Sequence, residues 1–275
     1  MKKLSIITIN YNNALELKST MESVLSQVDA DFEYIIVDGG STDGSVDVIQ
    51  TLEKSTTQKI KWISEKDSGI YNAMNKAVKM ATGTYVHFLN SGDTLVDSNI
   101  TASILLLLED KNVAPIFYGI ERQIYPDGRI REFRELEPTL FTFYRGTIPH
   151  STAYIKRDLF EKYGYYDENL KIVSDWKWYI QVIVFGGEES QFIPIEITNF
   201  DKQGISSTNQ ELDKEERERV LQELIPKRIL LDYQKWAFPI SQLDRIRRYK
   251  LFKIFYFVER CLFKIDKWKY KYSKN

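Results

Sequence analysis

Two hydrophobic rhythms alternate along the first third of the chain. Leu4–Ile9 is a short apolar run ending at polar Asn10, after which Leu17, Met21, Val24, Leu25 and Val28 recur at helical spacing. Tyr34–Val37 is a second apolar run, closed by the turn-rich segment Asp38-Gly39-Gly40-Ser41-Thr42-Asp43-Gly44, with a helix predicted from about Ser45. Ile60–Ile63 predicts a third strand. Ile70, Met74, Ala77, Val78 and Ala81 then form one helical stripe, with Gly83 expected as its C-cap. Tyr85–Leu89 predicts a fourth strand. Strands separated by helices in units this short imply a mostly parallel sheet with right-handed crossovers, an α/β fold.

The rhythm then changes. Pro126-Asp127-Gly128-Arg129 reads as a turn between two short strands. Helices are expected near Arg157–Tyr163 and over Asp175–Phe185, the second stopped by Gly186-Gly187, and Gln191–Ile197 predicts a strand. From Gln210 onward the pattern is helical, with Pro226 and Pro239 expected as breaks. The chain therefore divides into an α/β domain over 1–209 and a helical, basic extension over 210–275, with no internal repeat.

Composition narrows the classes. A chain of 275 residues buries one good core with a small appendage. The single cysteine, Cys261, excludes an internal disulfide framework, and two histidines beside it are too few for a structural zinc site. Lys2-Lys3 precedes too short an apolar run for a signal peptide, and no stretch approaches the roughly 20 apolar residues of a spanning helix, so a cytoplasmic location is expected. The net charge of −1 hides an asymmetry: residues 245–275 hold eleven Lys and Arg against two acids, +9, leaving −10 on the rest.

Candidate chemistry collects after the strands. Asn10–Asn12, Asp38, Glu65–Asp67 and Asn90–Asp93 each follow one of the first four strands, and in a parallel sheet those ends share one edge, where ligands bind. Any one segment is explained by the turn preference of Asn, Asp, Ser and Gly; four together favour a crevice. No G-x-G-x-x-G follows the first strand, and Gly39 to Gly44 runs into Ser45-Val46 instead of Lys-Ser/Thr, which counts against dinucleotide and P-loop chemistry. A carboxylate at Asp93 is able to hold a divalent cation against a nucleotide diphosphate.

Taken together, Thr8-Ile9-Asn10-Tyr11-Asn12, Val37-Asp38-Gly39-Gly40-Ser41-Thr42-Asp43-Gly44-Ser45, Glu65-Lys66-Asp67-Ser68-Gly69-Ile70-Tyr71-Asn72-Ala73-Met74-Asn75-Lys76, Ala81-Thr82-Gly83 and Phe88-Leu89-Asn90-Ser91-Gly92-Asp93 resemble a family 2 glycosyltransferase of the GT-A fold. The resemblance covers roughly residues 3–200 and is nearest to bacterial members that build capsule, exopolysaccharide or lipopolysaccharide. It implies a metal-dependent hexosyltransferase that moves a sugar with inversion from a nucleotide-sugar, most often a UDP-sugar, to a glycan or lipid-linked acceptor. Asp38 would bind the base or ribose with help from Thr8, Asn10 and Asn12, and Asp67 would lie near the same nucleoside. Asn75, Asn90 and Ser91 join the donor set. The metal turn, usually Asp-x-Asp or longer, keeps only Asp93 as a carboxylate, with the Asn90 carbonyl beside it, so Mn²⁺ or Mg²⁺ would rely on the diphosphate. Ser174-Asp175-Trp176-Lys177-Trp178 resembles the segment that supplies the catalytic aspartate, making Asp175 the expected base, with Asp167 as its rival.

Other readings stay open. His150 could touch diphosphate or acceptor. Trp176 and Trp178 either stack on acceptor sugars or pack their helix. His87, alternating between Val86 and Phe88, is expected to be structural. A degraded metal turn would suit a non-catalytic nucleotide-sugar or glycan-binding protein. A nucleotidyltransferase would want a glycine- and basic-rich loop that Thr8–Asn13 lacks. In the tail, Leu251, Phe255, Val258, Leu262 and Ile265 form an apolar stripe facing away from most of Lys253, Arg260, Lys264, Lys267 and Lys271. That pattern suits either an interfacial helix on an anionic membrane, peripheral on the inner face, or a terminal helix packed on protein. Nucleic acid is disfavoured, since no recognised binding module accompanies the charge.

Overall fold

The computed structural model of the chain describes residues 3–28, 30–125, 128–133, 137–201 and 209–247. Two compact units divide it, Met1–Leu224 and Ile225–Asn275.

In the first unit, strands β1 (Leu4–Asn10) and β2 (Glu33–Asp38) are buried at every position, the mark of parallel strands covered on both faces. With β3 (Ile60–Ser64) and β4 (Tyr85–Phe88) they form the parallel run β3-β2-β1-β4. Alternate side chains of β1 and β2 feed opposite layers. Leu4, Ile6, Tyr34 and Ile36 pack with Leu17, Met21 and Val24 of α1 (Ala14–Leu25) and Ile49 of α2 (Ser45–Ser55). Ile7, Ile9, Ile35 and Val37 pack with Met74, Ala77 and Val78 of α3 (Ile70–Met80). The period of two in the strands and of 3.6 in the helices thus builds a three-layer unit.

The sheet continues in mixed directions. Strand β5 (Thr94–Leu95) and helix α4 (Ile100–Leu107) follow β4, and β6 (Ile116–Ile124) with β7 (Ile130–Phe133) forms the antiparallel pair expected around Gly128. After α5 (Leu140–Arg145) and a 3₁₀ turn at His150–Thr152, β8 (Ala153–Lys156) inserts antiparallel between β4 and β6. Helix α6 (Asp158–Tyr163) leads to α7 (Ser174–Tyr179), which widens into a π-helical stretch over Ile180–Phe185 and stops at Gly186. The long β9 (Ser190–Asp201) pairs in parallel with β6 and antiparallel with β5. Pro194 falls where the β6–β9 register slips, at the irregularity beside Gly119, which is how a proline is tolerated inside a sheet.

Two expectations need correction. Helix α3 ends at Met80 with Ala81 already extended, so Gly83 is not its cap. A Cβ on Gly83 would meet the Ser5 amide at 2.6 Å, so glycine is required there by the close approach of β1. Helix α8 (Gln210–Leu224) lies in the first unit: Val220 enters its core, and the buried Glu216 carboxylate accepts from the backbone N–H groups of Lys171, Ile172 and Val173. Second, in the second unit Pro226 does precede a new helix, α9 (Lys227–Arg247), but Pro239 lies inside it. A proline removes one rung, and a ladder of 21 residues keeps the others. Among the described residues no helix is long and apolar enough to cross a membrane. The stripe over 251–265, and nearly all of the basic tail, lie outside the described residues.

Candidate active site

The strand register brings the polar ends together. Asn10 stands opposite Asp38, and Asp38 opposite Ser64. The turn after β4 joins them, because Leu89 and Ser91 donate their N–H groups to the Ile7 and Ile9 carbonyls.

Asp38 is fully buried at this edge and saturated by the protein. It accepts from Asn10 Nδ2 at 2.8 Å, Ser41 Oγ at 2.5 Å, the Ser41 N–H at 2.9 Å and Ser64 Oγ at 2.6 Å. Burial pushes its carboxyl upward, but the bonds from Ser41, Ser64 and Asn10 outweigh that and hold it below the usual carboxylate range. Asp38 therefore orders the loop. Asn12, at a left-handed φ of 46°, does the same, accepting from the Thr42 N–H at 2.8 Å while its own N–H binds Ser41 Oγ.

The groups left for a ligand are different ones. Among the described residues Asn10 Oδ1 is buried with no hydrogen-bond partner, while its Nδ2 is spent on Asp38. The half-buried Asp67 stands close to Gly39, where a Cβ would meet Asp67 Oδ2 at 2.7 Å and the Tyr11 ring at 3.0 Å. Burial and the nearby Asp38 charge raise the Asp67 carboxyl, against the pull of the Gly69 N–H and Lys76. Tyr11, 66% exposed beside that pair, was not singled out from sequence; its only signal is an aromatic placed immediately after a strand.

Two donor candidates serve the fold. The Thr8 hydroxyl is buried between the Tyr34 hydroxyl and the Leu89 carbonyl, since strand β1 is covered on both faces. Asn75 is spent on the chain ahead of α7: its Nδ2 donates to the Tyr166 carbonyl and Glu168, and its Oδ1 accepts from the Tyr166 N–H at 3.0 Å.

The turn after β4 is tight. Gly92 takes a φ of 109°, the Asp93 N–H closes on the Asn90 carbonyl at 2.9 Å, and the Thr20 hydroxyl binds the Asp93 carbonyl at 2.8 Å. Ser91 Oγ reaches the Asn13 carbonyl at 3.4 Å. Among the described residues Asn90 Oδ1 is buried without a hydrogen-bond partner, and Asp93 is 7% exposed. Among the described residues no group of three or more His, Cys, Asp or Glu gathers as a metal cage. An orphaned amide oxygen and a carboxylate in one turn fit a hard, oxygen-seeking Mn²⁺ or Mg²⁺, provided that substrate phosphate and water complete the shell.

Asp175 sits elsewhere on the same unit, in the first turn of α7, half-buried among aromatic rings. Its Oδ1 accepts from Tyr71 at 2.8 Å, and its Oδ2 has no donor among the described residues. Tyr71 comes from the first turn of α3. Tyr166 packs on Tyr71 with ring centroids 5.6 Å apart and pairs with His150 Nε2 at 3.0 Å, while His150 stacks on Phe88 at the end of β4. Burial lowers the His150 imidazole and so favours the neutral ring, against the opposing pull of the Asp175 charge. Burial and the Asp175 charge raise the Tyr71 and Tyr179 phenols well above their ordinary value; for Tyr166, burial is joined by Tyr179, Asp175 and Tyr71.

Asp167, the rival, is held by Lys177 at 2.9 Å and by Asn169; burial raises its carboxyl, but those bonds keep it low. Trp176 cannot stack on a sugar: it is 1% exposed, donates to the Phe143 and Gly146 carbonyls, and lies under Arg217. Trp178 packs on Phe160 at 4.6 Å. His87 is fully buried, stacked on Tyr154 at 4.3 Å and bonded to the Ala153 carbonyl, as a structural histidine should be. Glu216, whose carboxylate fixes the backbone just ahead of α7, carried no sequence signal, since it lies among charged residues of a polar helix.

Known proteins place this arrangement. The chain is similar to a PGL/p-HBAD biosynthesis glycosyltransferase of Mycobacterium bovis (strain BCG / Pasteur 1173P2), 26% identical over 211 residues, which span 77% of this chain and 81% of that one. An uncharacterized glycosyltransferase of Mycobacterium tuberculosis (strain CDC 1551 / Oshkosh) is 29% identical over 207 residues, 74% of this chain and 77% of the relative. Among solved structures, S. aureus TarS 1-349 in complex with UDP-GlcNAc superimposes with a TM-score of 0.62 at 17% identity, over 80% of this chain and 64% of that one. The mannosyltransferase PcManGT from Pyrobaculum calidifontis, in complex with GDP-Man and Mn²⁺, gives 0.55 at 17% identity, over 70% and 55%. The match spans 39% of the longer TarS chain. These structural likenesses show a GT-A fold. The family model described as glycosyl transferase family 2 matches residues 5–164, more than half of the chain. The chain belongs to glycosyl transferase family 2.

Proposed function

We propose that this protein is an inverting, metal-dependent hexosyltransferase that moves a sugar from a UDP-sugar to a glycan or lipid-linked acceptor in the assembly of surface polysaccharide. The observation that carries the reading is the contrast between two carboxylates. Asp38 is saturated by four protein donors, whereas Asp175, half-buried beside aromatic rings, keeps one oxygen without a donor among the described residues. A saturated carboxylate builds a loop; a carboxylate with a spare oxygen can accept a proton.

Asn10 Oδ1 and Asp67 would accept hydrogen bonds from the base or ribose, with the Tyr11 ring alongside. Asn90 and Asp93 would hold Mn²⁺ or Mg²⁺ together with the diphosphate, and the bound cation supplies charge neutralisation for the leaving group. Asp175 takes the proton from the acceptor hydroxyl as that oxygen bonds to the anomeric carbon. The bond from that carbon to the diphosphate breaks, and its electron pair departs with the nucleoside diphosphate. The PGL/p-HBAD relative and the UDP-GlcNAc and GDP-Man complexes support a nucleotide-sugar donor. We further propose a cytoplasmic site of action, peripheral on an anionic membrane through 245–275. That placement is supported by the charge of the tail and by Phe238, 71% exposed, and Leu243 on α9.

The test is release of nucleoside diphosphate from UDP-glucose, UDP-GlcNAc and GDP-mannose with Mn²⁺ or Mg²⁺, for wild type and Asp175→Asn. One donor should turn over, and the variant should lose roughly 10²–10⁴-fold in kcat. Donor binding without turnover on any sugar would instead favour a nucleotide-sugar-binding protein.

A further inference from the structure

The Tyr71 hydroxyl has one proton and two acceptors. It lies 2.8 Å from Asp175 Oδ1 and 2.5 Å from the Ile172 carbonyl oxygen. The phenol and the Ile172 carbonyl are both held in place. Tyr71 is 4% exposed and packed on Tyr166, and the Glu216 carboxylate holds the Ile172 N–H at 2.9 Å. The proton can therefore choose its acceptor without any heavy atom moving.

We propose that Tyr71 is a positioning residue with two settings, donating to Asp175 while that carboxylate is ionised and turning to the Ile172 carbonyl once Asp175 is protonated. The inference rests on the reading of Asp175 as the base. In the ionised state the carboxylate is the stronger acceptor, because a charged partner roughly doubles the strength of a hydrogen bond. After Asp175 takes the acceptor's proton on Oδ2, both candidate oxygens are neutral and the Ile172 carbonyl is the nearer. The phenol is paired in both states, so proton uptake leaves no buried donor orphaned.

The surroundings leave this role to Tyr71. The titratable groups whose fields couple to Asp175 are Tyr71 from α3, His150 from the 3₁₀ turn, Tyr166 from the chain ahead of α7, and Tyr179 on α7 itself. Three are phenols kept neutral by burial, and the imidazole is lowered. Among the described residues none of the four but Tyr71 bonds the carboxylate, and the Tyr179 hydroxyl is buried with no partner.

The test titrates Asp175 directly, in the full chain labelled with aspartate carrying ¹³C at the carboxyl, with Asp175→Asn identifying the resonance. Tyr71→Phe should raise the Asp175 midpoint by about one pH unit, a tenfold change in proton affinity. 3-Fluorotyrosine at position 71, a stronger donor of nearly the same shape, should lower it, and its ¹⁹F signal should shift with the Asp175 midpoint as the hydroxyl turns. An Asp175 midpoint unmoved by either change, or a ¹⁹F signal flat through the titration, overturns the proposal. If Tyr71→Phe does not fold, the fluorinated chain decides alone. A parallel assay of nucleoside diphosphate release from UDP-glucose, UDP-GlcNAc and GDP-mannose separates the two ideas. Activity retained in Asp175→Asn alongside a shifted midpoint removes the base reading and leaves the hydrogen bond. Activity lost alongside an unmoved midpoint does the reverse.

Discussion

The two acidic centres of this protein are assembled by opposite means. Asp38 is fixed by Asn10 and Ser64, at the ends of neighbouring strands whose register already makes them adjacent, and by Ser41 three positions on in its own loop. Asp175 is fixed by Tyr71, 104 positions away in sequence, on a helix whose approach is held by Glu216, more than forty positions on. The first arrangement follows from sheet topology, since parallel strands deliver their carboxyl ends to one edge. The second depends on tertiary packing. One region is a set of turns that would hold a nucleotide; the other is a pocket that would hold a proton.

The sharpest way to break that division is to remove one acid from each region. Asp93→Ala and Asp175→Asn should each lower turnover by roughly 10²–10⁴-fold, the range for a lost metal ligand or general base. Only Asp93→Ala should abolish the thermal stabilisation given by UDP with Mn²⁺; Asp175→Asn should keep it. Loss of that stabilisation in both variants would mean that the two regions are one binding unit.

Next in size is Glu216→Ala. It leaves the N–H groups of Lys171, Ile172 and Val173 without their acceptor, which should cost about 3 kcal/mol in urea unfolding. Because this backbone leads directly into α7, kcat should fall while the donor KM stays near wild type. Glu216→Gln, which keeps one carbonyl acceptor, should recover part of both losses. A change confined to donor KM would contradict the separation.

What was legible in the sequence follows the same division. The four parallel strands, their helices and the polar turns after them could be read from local periodicity. Asn10, Asp38, Asp67 and Asn90 do gather at one edge, but their tasks could not be assigned from a list. Whether Asp38 meets a ligand or saturates itself depends on Ser41 and Ser64, and whether Asn75 faces a donor depends on the Tyr166–Glu168 segment. Trp176 shows the limit of composition. An aromatic beside a catalytic candidate reads equally as a sugar platform or a core filler, and only packing under Arg217 decides it. The tie between α8 and the first unit is hidden in the sequence for a related reason. Helix α8 is strongly polar, and the single buried acid that ties it to the first unit looks, in sequence, like its exposed neighbours.

His87 on β4 probes acid sensitivity outside both regions. Burial lowers its imidazole to about 4, so between pH 6.5 and 4 the unfolded chain binds a proton that the folded chain refuses. Stability from this residue is fully present above pH 6.5 and falls as the pH drops, by about 3 kcal/mol over that span. Asp38 and Asp167, held low, add losses only at and below the ordinary carboxylate range. Urea unfolding across pH 4–7 should therefore flatten in His87→Phe. A slope unchanged in that variant would move the acid sensitivity to His150, whose imidazole burial also lowers, or to the carboxylates of the site.

The smallest expected effect tests the nucleotide side by itself. Gly39 follows Asp38 directly, and a Cβ there would lie 2.7 Å from Asp67 Oδ2 and 3.0 Å from the Tyr11 ring. Both obstructing groups are side chains, so Gly39→Ala can be accommodated if Asp67 and Tyr11 give way, at roughly 1–2 kcal/mol. If those two groups flank the nucleoside, the cost appears as about a tenfold rise in donor KM, with kcat at saturating donor unchanged, because Asp175 is untouched. The same rise should be seen for UDP competing as an inhibitor, since the strain lies on the nucleotide and not on the sugar. A fall in kcat at unchanged KM would show instead that the Gly39 loop reports to the reacting centre. The two regions would then be coupled through the start of α3, where Tyr71 follows Asp67 by only four positions.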